Sequence, residues 1–190
     1  MKATRLIATF AVPAIVALGL AGCGDGTDPA SGSALSACIS GKTWNLDVND
    51  MATQLGAELS AKNIDVRSST GEGTETITFS RSGHSTSTND LTYTIVAALS
   101  NGLAMSIAQK HTGDAGGDWT LTGSTVKFTH WDAGTYVVNN SFRIGDVVTS
   151  APLTVPDSGL GGVDLVVTCH GNSLTTKAAV SPFTQHWTAG

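Results

Sequence analysis

The sequence predicts a mainly β domain: an antiparallel meander of about eight to ten strands that curls into a barrel or half-barrel, with one amino-terminal α-helix packed on it. Three observations predict it. Apolar and polar residues alternate over many short runs after Ile64, which is the spacing of strands with one buried face. Glycine is frequent, at 22 residues, and only 13% of residues are charged, a composition of strands and turns rather than of helices. One segment alone carries a sustained helical spacing, and it lies near the start.

That segment is residues 48–62, where Val48, Met51, Ala52, Leu55 and Leu59 share one face. Asp47 or Asn49 caps its start and Asn63 ends it. A strand follows at 74–81, with Ile77 and Phe79 on one face and Ser82-Gly83 as the turn. Residues 91–99 put Leu91, Tyr93, Ile95, Ala97 and Leu99 on one face, and Asn101-Gly102 is a hairpin signal. The return strand aligns Leu103, Met105, Ile107, Gln109 and His111. Residues 113–117 read as a glycine-rich loop into Trp119-Thr120-Leu121, and Gly123-Ser124 turns the chain into Val126, Phe128 and His130. Further strands are expected at 136–144, 147–155, 163–170, 173–178 and 183–188, with 156–162 as a surface loop. A β-sandwich is the competing arrangement of the same strands.

Ahead of this domain, Lys2 and Arg5 precede an apolar run over 6–20, the pattern of a secretory signal. The run is short for a span, which needs about 20 apolar residues. Leu20-Ala21-Gly22-Cys23 then resembles, at every position, the lipobox of bacterial lipoproteins. The resemblance implies that residues 1–22 are removed and that Cys23 becomes the first residue. Its sulfur then carries lipid that holds the protein on the outer side of the cytoplasmic membrane. Residues 23–36, poor in apolar mass, read as a flexible tether, and 37–190 as a single β-rich domain. Of three cysteines, lipidation uses Cys23 and leaves Cys38 and Cys169 as an even pair for a disulfide in an oxidising compartment. A buried free pair or a metal pair are the alternatives, and neither has CxxC spacing.

The mature domain resembles the lipocalin or calycin group of small ligand-binding barrels, and more closely the lipoproteins of high-GC Gram-positive bacteria, a group of uncharacterised function. Calycins open with Gly-x-Trp and bring a late Arg or Lys over that Trp; here the stretch is Gly41-Lys42-Thr43-Trp44, and the last strand has no basic residue. The resemblance implies an apolar interior able to take a small amphiphile.

Alternation places Gln109 and His111 on the face of Met105, and His130 and Asp132 on the face of Phe128. Were those strands neighbours, the four residues would form a polar group at one end of an apolar interior and orient a ligand's polar head. Two imidazoles and a carboxylate could alternatively bind a metal, or the residues could emerge into solvent where the strands end; no metal or cofactor is assigned. His84, His170 and His186 show no partner in sequence. Trp44, Trp119 and Trp187 read as packing residues, whereas Trp131, one off the phase of Phe128, is expected to face outward.

No G-x-S-x-G elbow, HExxH pair, P-loop or dinucleotide fingerprint is present. The net charge is -5, with lysines scattered singly, which argues against nucleic acid as a partner. The sequence therefore points to a non-enzymatic, membrane-anchored extracytoplasmic lipoprotein that binds a small amphiphilic ligand or an envelope component. The alternative is a structural or protein-interaction lipoprotein of the envelope.

Overall fold

The computed structural model describes residues 32–100, 102–149 and 162–190. The leader, Cys23, residues 24–31, Asn101 of the hairpin turn, the strand residues 150–155 and most of the 156–162 loop lie outside the described residues.

The elements in chain order are α1 (Gly32–Ile39), β1 (Lys42–Leu46), α2 (Val48–Ala61), β2 (Asp65–Phe79), β3 (His84–Ala98), β4 (Ala104–Thr122), β5 (Thr125–Asp132), β6 (Val137–Ile144), β7 (Val147–Thr149), β8 (Leu165–His170), β9 (Ser173–Ala178) and β10 (Gln185–Ala189). Each strand pairs antiparallel with its neighbours, and eight of them close a ring in the order β1, β2, β3, β4, β5, β8, β9, β10 and back to β1. This is the expected meander, closed into a barrel. The β6–β7 hairpin is an insertion between β5 and β8.

The length of β4 explains how both parts fit. One edge pairs with β3 from Ala104 to Asp118. The other pairs with β6 over 105–112 and then with β5 over 116–122. The sheet is therefore a closed barrel at one end and an open wing of β2, β3, β4, β6 and β7 at the other. Helix α2 packs its apolar stripe, Met51, Ala52, Leu55 and Leu59, on that wing. Asp47 caps it by accepting from the Asp50 amide at 3.0 Å. Ser69 of β2 donates to the Ala52 carbonyl, and Gln54 exchanges hydrogen bonds with the Thr184 main chain at 2.6 and 2.9 Å.

At the barrel end, α1 brings Leu35 and Ile39 into the same core as Trp44, Val167 and Trp187. Trp44 donates to the Ile39 carbonyl at 3.3 Å, and Cys38 is disulfide-bonded to Cys169 of β8. The helix occupies residues 32–36, which the sequence suggested as tether. Its apolar residues, Leu35 and Ile39, bury only once β8 and Trp44 are in place, so its eight residues carry little signal of their own.

The expected loop at 113–117 is instead continuous strand, with its residues paired in order across β3. The glycines serve close approach rather than a turn. Gly113, at φ 93°, lies under the Thr135 carbonyl, and a Cβ at Gly117 would stand 2.9 Å from Trp131 Cα.

Candidate functional site

Gln109 and His111 are brought together, as alternation predicts, on the buried face of β4, each 1% exposed. His111 Nε2 lies 3.0 Å from Gln109 Oε1. An amide oxygen only accepts, so this nitrogen carries the proton and, in the neutral ring, Nδ1 accepts from the Tyr136 hydroxyl at 2.7 Å. Gln109 Nε2 donates onward to Asn140 Oδ1 at 3.2 Å, and Tyr93 meets the His111 ring edge-on at 5.5 Å. A hydrogen-bonded chain thus crosses the wing from half-buried Tyr136 through His111 and Gln109 to exposed Asn140. Both imidazole nitrogens are engaged, which suits a positioning group rather than a metal ligand.

His130 and Asp132 lie elsewhere, and a β-bulge is the reason. Between the pairs Gly116↔Asp132 and Asp118↔Thr129, Gly117 alone on β4 faces His130 and Trp131 on β5. His130 takes φ 52°, and the extra residue reverses the phase of alternation. His130 turns out to solvent, 85% exposed, and Trp131 turns in. Trp131, expected outside, packs its ring 4.9 Å from Phe128. Asp132 accepts from the Gly134 amide at 2.9 Å, holding a turn.

On the outer face, Asp118 binds two imidazoles. His84 Nδ1 donates to its Oδ1 at 3.3 Å and His130 Nδ1 to its Oδ2 at 3.1 Å. The hydrogen bonds from His84 and then His130 hold the Asp118 carboxyl below the usual carboxylate range. His186 likewise donates to Asp50 at 2.8 Å, tying β10 to α2. Sequence reading missed these pairs because each joins different strands or a strand to a helix. Among the described residues no group of three or more His, Cys, Asp or Glu is arranged to hold a metal ion.

Beside Phe128 the aromatic rings cluster: Phe79 lies 6.4 Å from Phe128 and 5.2 Å from Trp119. Across the barrel, Trp187 Nε1 donates to Thr176 Oγ1 and that hydroxyl to Gln185 Oε1, both at 2.9 Å. Trp44 has a cation over it after all, from Lys42 two residues earlier, with Nζ 5.1 Å from the ring centre. Two hollows bounded by described residues lie elsewhere. One of about 290 Å³ lies between α2 and Phe183, and one of about 150 Å³ adjoins Leu35, Val167 and Cys169. Neither is lined by Met105 or Phe128.

These features define a class: an eight-stranded antiparallel barrel with an aromatic cluster among its buried side chains, extended by a wing that buries a short polar chain. Comparison with protein-family models, curated proteins and solved structures finds no match to this chain.

Proposed function

We propose that this protein is a non-enzymatic, lipid-anchored barrel held at the cell membrane and facing outside the cytoplasm, where it binds a small amphiphile of the envelope. The observation that carries the placement is the Cys38–Cys169 disulfide: it belongs to an oxidising compartment, and it leaves Cys23, at the lipobox position, as the one cysteine outside the pair. Eight residues lie between Cys23 and Gly32, a reach of at most about 30 Å, so the α1 end of the barrel stands nearest the anchor. Two acyl chains or more give stable attachment, since each buried methylene contributes about 0.8 kcal/mol.

The non-enzymatic reading is supported by the dispersal of the candidate groups. His111 is engaged at both nitrogens inside, His130 is bound to Asp118 outside, and Asp132 holds a turn. Native mass spectrometry of the protein extracted from its own membrane tests the whole reading. Expected are the acyl mass on Cys23, the mass of an intact disulfide and a retained small molecule; an unmodified amino terminus would remove the anchor.

A second reading, recognition of an envelope protein, is favoured by the outer tip of the wing. Val147 and Val148, on the short strand β7 at the end of the sheet order, are 66% and 62% exposed, and Leu103, in the turn before β4, is 52% exposed.

A further inference from the structure

A ligand that enters the barrel beside Phe128 meets its aromatic cluster, and the four tryptophans differ sharply in how firmly they are held. Trp44 donates to the Ile39 carbonyl, Trp119 to the Ser80 carbonyl and Trp187 to the Thr176 hydroxyl. Among the described residues, Trp131 alone makes no hydrogen bond through its indole. It is also only half-buried, where Trp44 and Trp187 are fully enclosed.

Among the described residues, Trp131 stands beside the most sparsely paired junction of the ring. The ring of strands closes between β5 and β8 through only two register pairs, Thr125↔Val166 and Val126↔Leu165, with one more bond from the Val167 amide to the Ser124 carbonyl at 2.8 Å. Beyond Val126 the two strands part, and residues 127–132 have β4 as their only described strand partner. Among the described residues, an exposed Lys127–Asp164 pair at 3.8 Å, Val163 packed against the core and the Trp131 ring lie along this edge. The ring lies between Phe128 and the main chain of Gly162, where a Cβ would fall 2.5 Å from Trp131 Cγ. Behind it the aromatic row runs inward from Phe128 through Phe79 to Trp119.

The bulge is what puts the indole there. It costs a non-glycine residue, His130, in the left-handed region, and without it Trp131 would face solvent.

We propose that the β5–β8 seam is a lateral entrance to the barrel, closed by the Trp131 ring, and that it admits an uncharged, flat, ring-bearing amphiphile. The ligand's ring takes the place of the indole against Phe128, and its polar end stays at the seam beside Lys127 and Asp164. The inference rests on the amphiphile reading above and names the route and the chemical class for it.

The test is titration of the purified full chain with N-phenyl-1-naphthylamine, an uncharged aromatic probe, followed by its fluorescence. When an open state is a minor one, populated at about 1–10%, apparent affinity is reduced by that fraction. Trp131→Ala is therefore expected to tighten binding about 10- to 100-fold over wild type, through a single saturable site. Trp131→Phe, which keeps a ring at the seam and guards against a folding defect in the alanine variant, is expected to fall between. Equal saturable binding by wild type and both variants would overturn the entrance but leave an interior ligand in place. No saturable binding by any of the three would overturn both readings.

Discussion

Ser85, the second residue of β3, is fully buried, and among the described residues its hydroxyl has no hydrogen-bond partner. A buried polar group left unsatisfied costs about 1–3 kcal/mol, and alanine removes it at the loss of one atom. Ser85→Ala is therefore expected to raise stability by about 1 kcal/mol, read as a higher urea midpoint with an unchanged slope; a lower midpoint would show that the hydroxyl has found a partner. Asp118 predicts a pH effect. Its folded-state carboxyl titrates below the usual range because it accepts from His84 and His130. The stabilisation this gives is present above the unfolded value, about 3.9, and is lost as pH falls through the lowered folded value. The melting temperature of Asp118→Asn should thus lie below wild type near pH 6 and converge on it below about pH 4. A gap that stays constant across that range would separate the effect from titration. The effect is small, because all three side chains are more than half exposed. Neither feature was legible in the sequence. Ser85 reads as one of many polar strand residues, and Asp118 meets its histidines only because β3, β4 and β5 are neighbours.

At the scale of elements, legibility followed the strength of local pattern. Helix α2 was read nearly to its ends because Asp47 caps it and five apolar residues keep its period. Asp47→Ala is expected to cost about 1 kcal/mol, by thermal or urea unfolding. The alternation that placed Gln109 and His111 inward also held, whereas His130 and Asp132 were misplaced by one inserted residue. A bulge is a property of a strand pair, and nothing in Thr129-His130-Trp131 by itself marks it. The glycines of 113–117 misled in the opposite sense: their signal is the same for a loop and for a strand crossed closely by another chain segment. Helix α1 is the element most dependent on the rest. Its link to β8 closes 131 residues of sequence, and in the chain-entropy model so long a loop is worth about 5 kcal/mol. Replacing Cys38 and Cys169 together by serine should cost an amount of that order, with α1 losing its hold on the barrel end; a loss below about 1 kcal/mol would mean that Leu35 and Ile39 keep it docked by packing.

For the whole molecule, the uneven closure of the ring matters more than any one site. β2 and β3 pair over nearly their full lengths, and β3 and β4 over fifteen residues of each, so the wing and half the barrel form one continuous ladder. The β5–β8 junction has two pairs. Local opening takes place where buried contacts and ladder bonds are fewest, so the barrel should open at this seam well below its global unfolding free energy. Amide hydrogen exchange checks it directly. The Val167 amide, whose bond to Ser124 crosses the seam, is expected to exchange at least about 100-fold faster than amides bonded across β2 and β3. The α1 disulfide bears on the same prediction, because Cys169 lies two residues beyond Val167 and holds the lower end of β8 in place. Reducing it should speed the Val167 amide further while leaving the β2–β3 amides unchanged. Equal protection on both sides of the barrel would mean that the ring opens only as a unit, and a ligand could then enter only from an end.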